Sequence, residues 1–451
     1  WVQYGSYYNE NNNWWPYFKY LNDYKARLSL LLQNADMYTD LAILPANYDM
    51  WGEMGVQTDP FPEKLNVPYT SIIWESINKT GGAADYTTEM IIQGSTVKNG
   101  KLCYGPKKYG TIFLAEVTSM HPETISKLYD FVSSGGRIFC IEKYPEKSLG
   151  LTNYKEKDQQ VQQWIEKLKS ISDRFILIRK PEDNRFLEWY KETMVKYNIP
   201  HYLEIGNPDR YLMQNRYQGD DKSEIFFFGN AHKFDPKRTK VTFSKEITNG
   251  RYPWIWDAES GERYRMELVN NSFELELGPA ETLLIIFSKE KKGTKWTPVP
   301  VTAQNVKTLD GGWDVEFRHS RENWVKSILM NPLKDIKETD FVNFTGTAVY
   351  KKKIDTGDMK TTFLNLGQVY GVSEVLVNGK SCGIKWYGKR IYNITPFLQK
   401  GSNDLEILVT TTMGNYMKTL TDNKTAQKFT VLKTKDQPIQ SMGMVGPVTI
   451  Y

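Results

Sequence analysis

The chain has 451 residues, of which 40% are hydrophobic, 25% charged and 14% aromatic, and its formal net charge is +5. This composition supports sizeable buried cores and excludes a disordered chain, and the length predicts about three domains. Because lysines and arginines are scattered rather than gathered in a stripe, nucleic acid is not an expected partner. No apolar run reaches the roughly 18 residues of a membrane span, and the first residues do not have the pattern of a signal peptide.

Cysteine and histidine are few and widely spaced, with Cys103, Cys140 and Cys382 as the three cysteines. Their spacing predicts neither a metal site nor a disulfide framework, and no glycine motif for nucleotides is present. The high aromatic content has two explanations that the composition leaves open. Pyranose rings dock their apolar faces on aromatic rings in sugar-handling proteins, and large β-sandwiches are also rich in aromatic residues.

An amphipathic helix is predicted over residues 16–33, directly after the pair Trp14 and Trp15. Its apolar face consists of Tyr17, Tyr20, Leu21, Tyr24, Leu28, Leu31 and Leu32. Pro16 suits the first turn, and Asn13 or a neighbour is the expected N-terminal cap. The sequence therefore places a regular helix almost at the start of the chain.

Residues 36–200 alternate between apolar strands and amphipathic helices. The strands include "LAIL", "TIFLA", "RIFCI" and "FILI", and the helices include "PETISKLYDFVSS" and "DQQVQQWIEKLKSI". Apolar strands that alternate with helices predict a parallel sheet covered on both faces. We therefore expect a flavodoxin-like or amidotransferase-like α/β domain.

The pattern then changes to short antiparallel strands. Residues 201–290 predict a small antiparallel β-sandwich, with strict alternation in "FELEL". Residues 291–300 are a charged linker containing proline and glycine. Residues 301–451 predict a β-sandwich of jelly-roll type, in which Asn378–Gly379 signals a tight hairpin. The expected fold class is multidomain, α/β plus β.

Motifs in the last domain resemble a known module. They are "GTAVY" at residues 346–350, "LGQVYGVSEVLVNGKSCG" at residues 366–383, and a closing "SMGMVGPVTIY". This pattern is similar to the galactose-binding-like jelly roll that is appended to many large glycoside hydrolases. The resemblance is specific for the module and less specific for the enzyme.

The N-terminal part narrows the resemblance. The stretch "NNWWPYFKYLNDYKARLSLLLQNADMYTDLAILPANYDMW" and the following "PFPEKLNVPYTSIIWESI" resemble glycoside hydrolase family 106, the α-L-rhamnosidases. There a helix after the catalytic barrel leads into a β-galactosidase-like α/β domain. The resemblance covers essentially the whole chain, as the C-terminal portion of a longer protein.

The resemblance implies that residues 1–35 are the last βα unit of a (β/α)8 barrel whose other strands precede Trp1. The apolar face of the predicted helix would then pack on those barrel strands. Family members are regarded as inverting and calcium-assisted, with acidic residues on barrel strands. We therefore expect the catalytic acids and any calcium site upstream of this chain, no metal or cofactor site within it, and a periplasmic or extracellular location.

The segment before the predicted helix is the candidate substrate-binding site. Active sites of such barrels lie on the loops that follow the strands, and residues 4–15 would form such a loop. One interpretation is that Glu10, Asn11, Trp14 and Trp15 line a sugar pocket. The other is that the tryptophan pair packs the barrel against the α/β domain and that Glu10 is solvated.

Other residues that could serve in catalysis or sugar binding have simpler structural explanations. Cys140 lies inside the strand "RIFCI", without the glycine-flanked elbow of a nucleophile, and is expected to be a buried thiol. His121 precedes a proline at the start of a helix. Trp313, Trp324 and Trp386 could form a sugar platform, but we favour internal packing.

Two function classes remain open at this stage. The first is part of a glycoside hydrolase that removes terminal α-L-rhamnose from plant or bacterial polysaccharide by two-carboxylate acid/base hydrolysis. The alternative is a non-catalytic carbohydrate-binding or scaffold assembly that supports a glycosidase of galactosidase or glucuronidase type, since fold does not fix function. A cysteine-dependent amidotransferase is a weaker third class, which the missing elbow argues against.

Overall fold

The computed structural model describes residues 9–54, 69–297, 306–309, 311–355, 357, 362–424, 426–427, 431–432, 435–436 and 438–451. This part of the chain contains one parallel α/β unit and several antiparallel sheets. None of its helices is long and apolar enough to cross a membrane. Residues 1–8, 55–68 and 298–305, for which the sequence analysis also made predictions, lie outside the described residues.

The predicted N-terminal helix is confirmed. A 3-10 turn, Trp15–Tyr17, runs directly into the helix Phe18–Leu32. We call Phe18–Leu32 the N-terminal helix. The strand that follows, Ala35–Met37, pairs antiparallel with Leu212–Gly219, so the chain joins an antiparallel sheet before it enters the α/β unit.

The expectation that this helix packs on barrel strands before Trp1 stays a prediction. Within the described residues, Leu28, Leu31 and Leu32 pack against an apolar patch on the sheet that Ala35–Met37 joins. That patch is formed by Ile225, Leu284 and Ile286. The spacing of apolar residues predicted this face in part, since Tyr24, Leu28, Leu31 and Leu32 make apolar contacts whereas Tyr20 is 46% exposed. The spacing carried no information about which sheet covers the face.

The α/β domain contains the predicted parallel sheet, which has five strands in the described residues. Their order across the sheet is Ala84–Tyr86, Leu41–Pro45, Thr111–Ala115, Arg137–Ile141 and Phe175–Ile178. Its helices are Asn47–Met54, Thr70–Lys79, Glu89–Gly94, Pro122–Ser133, Tyr154–Lys169 and Phe186–Lys196. A small antiparallel sheet of Thr96–Lys98, Lys101–Tyr104 and Lys107–Tyr109 lies beside it.

Helices cover both faces of the parallel sheet. Neighbouring residues of each strand point to opposite faces, so they belong to two different cores. Ile112 and Leu114 belong to the core under one helical layer. Phe113 and Ala115 belong to the core under the other. Two cores on one sheet explain why these strands are continuous apolar runs in the sequence.

The middle β domain, residues 203–288, consists of two sheets around one core rich in phenylalanine. The larger sheet has the order Ala35–Met37, Leu212–Gly219, Glu224–Asn230, Thr282–Ser288, Tyr252–Trp256 and Arg263–Arg265. The smaller sheet consists of Leu203–Ile205, Lys237–Phe243 and Ser272–Leu277. A short helix, Lys245–Thr248, links Lys237–Phe243 to Tyr252–Trp256.

The last β domain, residues 306–451, also has two main sheets that share a core. The larger one has the order Val325–Met330, Trp313–His319, Gly346–Asp355, Ser402–Thr410, Val372–Val377 and Lys380–Lys385. The other consists of Lys307–Thr308, Thr449–Ile450, Phe363–Asn365 and Ile391–Asn393. Two small pairs join Gln368–Tyr370 to Gly443–Gly446 and Val431–Leu432 to Lys435–Asp436, and a helix spans Gly414–Thr419.

The predicted hairpin in this last domain is confirmed. Asn378 and Gly379 both have positive φ, +52° and +74°, as a tight primed turn between antiparallel strands requires. They connect Val372–Val377 with Lys380–Lys385. Whether the domain is a jelly roll stays a prediction.

The α/β and middle β domains meet through buried polar contacts. The Gln214 side-chain amide donates to the carbonyl oxygens of Asn78 (3.1 Å) and Gly82 (2.8 Å). Gly81 has a φ of +90°, and a Cβ there would lie 1.9 Å from the carbonyl oxygen of Leu203. This close approach explains why the helix Thr70–Lys79 ends at a glycine pair.

Candidate functional site

The segment before the N-terminal helix folds into consecutive tight turns. The amide of Asn12 donates to the carbonyl of Asn9 (3.0 Å), and the amide of Trp15 donates to the carbonyl of Asn12 (2.9 Å). The amide of Asn11 also donates to the side-chain oxygen of Asn9 (2.9 Å). Asparagine favours such turns because its side chain bonds to nearby backbone. We call residues 9–17 the tryptophan loop.

The tryptophan pair forms an aromatic cluster with the first residue of the helix. The Trp15 ring stacks on Phe18 at 5.2 Å with an interplanar angle of 16°. The Trp14 ring lies 5.9 Å from the same phenylalanine in a tilted arrangement. Trp15 is 37% exposed and Trp14 is half-buried. The cluster therefore offers aromatic surface to solvent on a fixed support.

Asn13 fixes this loop to the last β domain. Its side-chain nitrogen donates to the Thr345 hydroxyl (2.6 Å) and to the carbonyl of Thr411 (2.9 Å). Its side-chain oxygen accepts a hydrogen bond from the Ser320 hydroxyl (2.7 Å). The expectation that Asn13 caps the helix is wrong, because the helical segment that starts after it has no side-chain cap and its amide is used here.

Tyr17 adds a second attachment of the loop, through a hydrogen bond of 3.1 Å between its hydroxyl and that of Thr410. Sequence reasoning missed Ser320, Thr345 and Thr410. No local signal points to them, because these partners lie 307 to 393 positions further along the chain. The last β domain thus contributes to the surface that the sequence assigned to the N-terminal segment alone.

The four predicted substrate-binding residues are only partly brought together. Trp14 and Trp15 share the cluster on Phe18. Glu10 and Asn11 lie on the exposed turn that precedes it. The arrangement provides one aromatic surface with polar side chains at its edge, which is a common form of sugar-contacting surface. A role of these residues in binding substrate stays a prediction.

A second junction lies further along the N-terminal helix. The Tyr24 hydroxyl is 2.6 Å from that of Thr282, and its ring makes edge contacts with Trp386 (5.7 Å) and Tyr387 (5.9 Å). Burial raises the pKa of Glu259, and Lys385, 3.9 Å away, partly opposes that shift. The helix, the middle β domain and the last β domain meet at this point.

This contact agrees with the packing interpretation of the tryptophans in the last domain. Trp386 packs on the N-terminal helix through Tyr24. Trp313 is fully buried in the core. Trp324 packs between His319 and Phe341, at ring distances of 4.8 Å and 6.0 Å.

Cys140 is fully buried within the strand Arg137–Ile141, as expected for a structural thiol. Its burial raises its pKa far above the ordinary cysteine value, so the thiolate is strongly disfavoured at neutral pH. His121 precedes the helix Pro122–Ser133, and its amide donates to the Glu89 carboxylate (2.9 Å). These contacts provide no activated nucleophile.

Two neighbouring parallel strands are each followed directly by a glutamate that the sequence analysis did not single out. Glu116 and Glu142 have left-handed backbone, with φ of +55° and +66°, a conformation that is costly for a residue with a Cβ. Burial raises the pKa of the Tyr69 hydroxyl, and the negative charge of Glu116 raises it further. The Glu142 carboxylate accepts a hydrogen bond from the backbone amide of Lys180. The sequence signal that could have identified both residues is a glutamate directly after each apolar strand.

In the described residues, no group of three or more His, Cys, Asp or Glu side chains could hold a metal ion.

Comparisons with known proteins relate the chain to glycoside hydrolases. A sequence model of glycoside hydrolase family 106, described as alpha-L-rhamnosidase, matches residues 1–269. A protein of Formosa agariphila named "Putative beta-glucuronidase" is 26% identical over 299 residues, which are 64% of this chain and 22% of that protein.

The fold is similar to that of a solved rhamnosidase from Novosphingobium sp. PP1Y. The TM-score is 0.65 at 22% identity, over 99% of this chain and 42% of that one. The chain thus spans less than half the length of both relatives.

Proposed function

Because the chain belongs to glycoside hydrolase family 106, the alpha-L-rhamnosidases, we propose that it is the C-terminal part of an enzyme that releases terminal α-L-rhamnose from plant or bacterial polysaccharide. The observation that carries this proposal is the family match over residues 1–269, more than half of the chain. The fold likeness to a rhamnosidase over 99% of the chain supports it. A polysaccharide substrate also favours a periplasmic or extracellular location, because polymers of that size do not cross a membrane unaided.

The proposed reaction uses two carboxyl groups. One protonates the glycosidic oxygen of the leaving group, and the other activates a water molecule on the opposite face of the sugar, roughly 6.5–9.5 Å away in inverting enzymes. Both acids belong in this proposal to barrel strands that precede Trp1, together with any calcium site. The incomplete coverage of the longer relatives supports that placement, and so does the resemblance of the N-terminal segment to the end of a barrel.

Within this chain the tryptophan loop is the proposed contact to the sugar. Trp15 offers an exposed aromatic face on which the apolar side of a deoxy sugar packs, and Glu10 and Asn11 bond its hydroxyls. Asn13 is a positioning residue, because its three hydrogen bonds to the last β domain hold the loop in one orientation. Holding a contact surface rigid reduces the entropy that binding would otherwise cost.

The test compares sugars on the longer polypeptide that contains the preceding segment. Its hydrolysis of aryl α-L-rhamnoside, aryl β-glucuronide and aryl β-galactoside is measured at matched concentrations. The proposal predicts that kcat/KM is highest for the rhamnoside by at least about a hundredfold, or roughly 2.7 kcal/mol of transition-state discrimination. Equal or higher kcat/KM for another sugar contradicts it.

The relative named "Putative beta-glucuronidase" favours a second candidate, a support assembly for a glucuronidase-type enzyme. The same panel separates the two. Preference for the β-glucuronide would assign the chain to that second function. Retained binding of sugar without hydrolysis of any of the three substrates would favour a non-catalytic assembly.

A further inference from the structure

The larger sheet of the last β domain has two edges of different character. One edge is the strand Lys380–Lys385, and the other is the strand Val325–Met330. Sheet edges expose unpaired backbone amides and carbonyls, and proteins commonly protect them with lysines, with bulges or with a covering element. Among the described residues, only Lys380–Lys385 has that protection.

The edge Lys380–Lys385 is protected in three ways. Its sequence begins and ends with lysine, and its register against Val372–Val377 shifts at an irregularity. Gly383 has a φ of +118°, which departs from an extended strand. Just beyond its end, Trp386 packs on Tyr24 of the N-terminal helix. A further strand that paired along this edge would disrupt these features.

The edge Val325–Met330 is regular and uncovered, and we call it the free edge strand. Its register against Trp313–His319 runs without a shift. Val325 is 63% exposed and Leu329 is 69% exposed. Successive side chains of a strand point to opposite faces of the sheet, so Lys326 does not lie on the face that carries Val325 and Leu329. The apolar pair on the solvent face is therefore not guarded by the lysine of its own strand.

The hydrogen bonds of the ladder determine which backbone groups of the free edge strand point outward. The amide of His319 donates to the carbonyl of Trp324 at 3.0 Å, so the next residue, Val325, belongs to a pair that exchanges no hydrogen bonds. Such pairs alternate with bonded pairs along an antiparallel ladder. Val325, Ser327 and Leu329 therefore direct their amides and carbonyls away from the neighbouring strand and towards solvent.

These outward groups are self-complementary about a twofold axis through Ser327. When two copies pair antiparallel in that register, Val325 lies opposite the partner's Leu329, and Leu329 lies opposite the partner's Val325. Each residue pair exchanges two backbone hydrogen bonds, and both apolar pairs pack on the same face of the joined sheet. A register shifted by two residues pairs Ser327 with only one of these apolar residues and leaves the other opposite an asparagine.

The charges beside the apolar pairs are complementary in the same register. On the neighbouring strand, Asp314 lies beside Leu329 and Arg318 lies beside Val325. One row of the joined sheet therefore begins at Asp314, passes through the apolar pair and ends at the partner's Arg318. The twofold axis generates a second row of the same kind. Opposite charges at the two ends of a row favour this pairing over one that brings like charges together.

The central row has like charges at its ends, but they are compensated. It passes through Ser327 of both copies and ends at Glu316 of each. The Glu316 carboxylate lies 2.6 Å from the Arg318 guanidinium and 2.9 Å from the Lys351 ammonium of its own copy. The central row therefore adds no strong repulsion between the copies.

We propose that the free edge strand is an interface between two copies of this chain, which pair antiparallel about Ser327 and join their larger sheets into one. This inference is independent of the proposed function, because neither rhamnoside hydrolysis nor sugar contact requires it. The interface is small, with a strand of six residues from each copy. The expected dissociation constant is therefore about 10 µM rather than nanomolar.

Sedimentation equilibrium of the 451-residue chain tests the association. As the concentration increases from about 1 to about 200 µM, the weight-average mass should rise from that of one chain towards that of two. A mass that stays at that of one chain over the whole range overturns the proposal.

Two variants of opposite charge test the register. Leu329→Lys and Val325→Glu each replace an exposed side chain, so both variants should remain folded. Alone, each variant loses both apolar pairs of its own dimer, and its association should weaken about tenfold.

A one-to-one mixture of the two variants should associate more strongly than either variant alone. In the mixed dimer the new lysine of one copy lies opposite the new glutamate of the other, and the second row keeps its apolar pair. Its dissociation constant should therefore lie within about threefold of the wild-type value. A mixture that is no heavier than either variant alone overturns the proposed pairing.

Matched substitutions elsewhere control for the added charges. Leu151→Lys and Val269→Glu replace side chains that are 91% and 76% exposed and should change the dissociation constant by less than about twofold. If they weaken association as much as the edge variants do, the free edge strand is not the interface and the proposal is overturned.

Ser327→Pro tests the backbone pairing. It removes an amide that faces the free edge, so the strand keeps its hydrogen bonds to Trp313–His319. The dimer loses both hydrogen bonds at the axis, and association should weaken about tenfold. Unchanged association would contradict the pairing about Ser327. Thermal unfolding of every variant verifies that it remains folded.

Discussion

The N-terminal segment, residues 9–32, and the parallel sheet of the α/β domain obtain their structure in opposite ways. Strands such as Thr111–Ala115 are buried along their whole length by the helices of their own domain. Within the N-terminal helix only Tyr24 is buried, with 9% of its surface exposed. Its contacts and those of the tryptophan loop go to the middle and last β domains. The parallel sheet is thus stabilised by contacts within its own domain. The position of the N-terminal segment is determined by contacts with the two β domains.

This difference predicts unequal responses to mutation. A change in the sheet removes contacts that hold a whole domain together. A change in the segment loosens one attachment while the domains remain folded.

Phe139→Ala should have the largest effect. Phe139 is fully buried, with ring centres 5.0 Å from Phe113 and 5.0 Å from Tyr197. The cavity should lower the free energy of unfolding by about 4 kcal/mol, measured from the first transition in urea. Trp15→Ala is the matched control in the segment, with an expected loss under about 1 kcal/mol. Similar losses in both would contradict the comparison.

Arg216→Met tests a buried ion pair within the middle β domain. Arg216 is 2% exposed, lies 3.9 Å from the ring centres of both Tyr38 and Tyr202, and donates to the Glu224 carboxylate at 2.8 Å. The variant leaves the buried Glu224 carboxylate with only the Arg251 guanidinium, 3.8 Å away, to compensate its charge in part. This loss should cost about 3 kcal/mol.

The double variant Arg216→Met with Glu224→Gln supplies the control for that prediction. It removes the uncompensated charge and should recover at least half of the loss, as measured by urea unfolding. If the double variant is as unstable as the single one, packing against the tyrosine rings rather than charge dominates at Arg216.

Asn13→Ala should have a local effect of about 1 kcal/mol, because it removes the hydrogen bonds to Thr345, Thr411 and Ser320. Amide hydrogen exchange in a peptide spanning residues 9–20 should become about fivefold faster, and the parallel sheet should be unaffected. Asn11→Ala, in the exposed turn, is the control and should leave exchange unchanged. Unaltered exchange in Asn13→Ala would show that the loop is held by other contacts.

Glu89→Gln should produce the smallest effect, visible as a pH dependence. Burial raises the pKa of Glu89 above the ordinary value of 4.5, although Thr124 and the His121 amide bond its carboxylate. Because the pKa of Glu89 is higher in the folded state than in the unfolded state, the wild type gains stability as the pH falls through the folded-state pKa. This gain levels off below about pH 4.5, the unfolded value. The difference in melting temperature, wild type minus variant, should therefore increase as the pH is lowered from 7 to about 4.5. A constant difference would contradict the raised pKa.

The sequence predicted those features that local pattern determines. Alternating apolar runs indicated the parallel sheet, and Asn378–Gly379 indicated the hairpin, because both depend on residues close together in the chain. Neither the partner of the N-terminal helix nor the attachment of Asn13 was predictable this way. Both involve residues two to four hundred positions away, which helical periodicity and capping preferences do not encode.

In the candidate site, too, local pattern predicted some features and contacts with distant residues determined the others. The tryptophan pair was recognisable as an aromatic surface, whereas its support by Phe18 and by the last β domain required the structure. The left-handed backbone at Glu116 and Glu142 was also not predictable from the sequence, because this conformation is uncommon for a residue with a Cβ. Local pattern thus identifies candidate residues, and tertiary contacts decide what surrounds them.

The most direct test of the central proposal measures hydrolysis of an aryl α-L-rhamnoside by two samples. One is the 451-residue chain, and the other is the longer polypeptide that includes the preceding segment. If the catalytic acids precede Trp1, the longer polypeptide turns the substrate over and the shorter chain does not exceed the uncatalysed rate. Turnover by the 451-residue chain alone, at a rate typical of an enzyme, would contradict the placement of the acids.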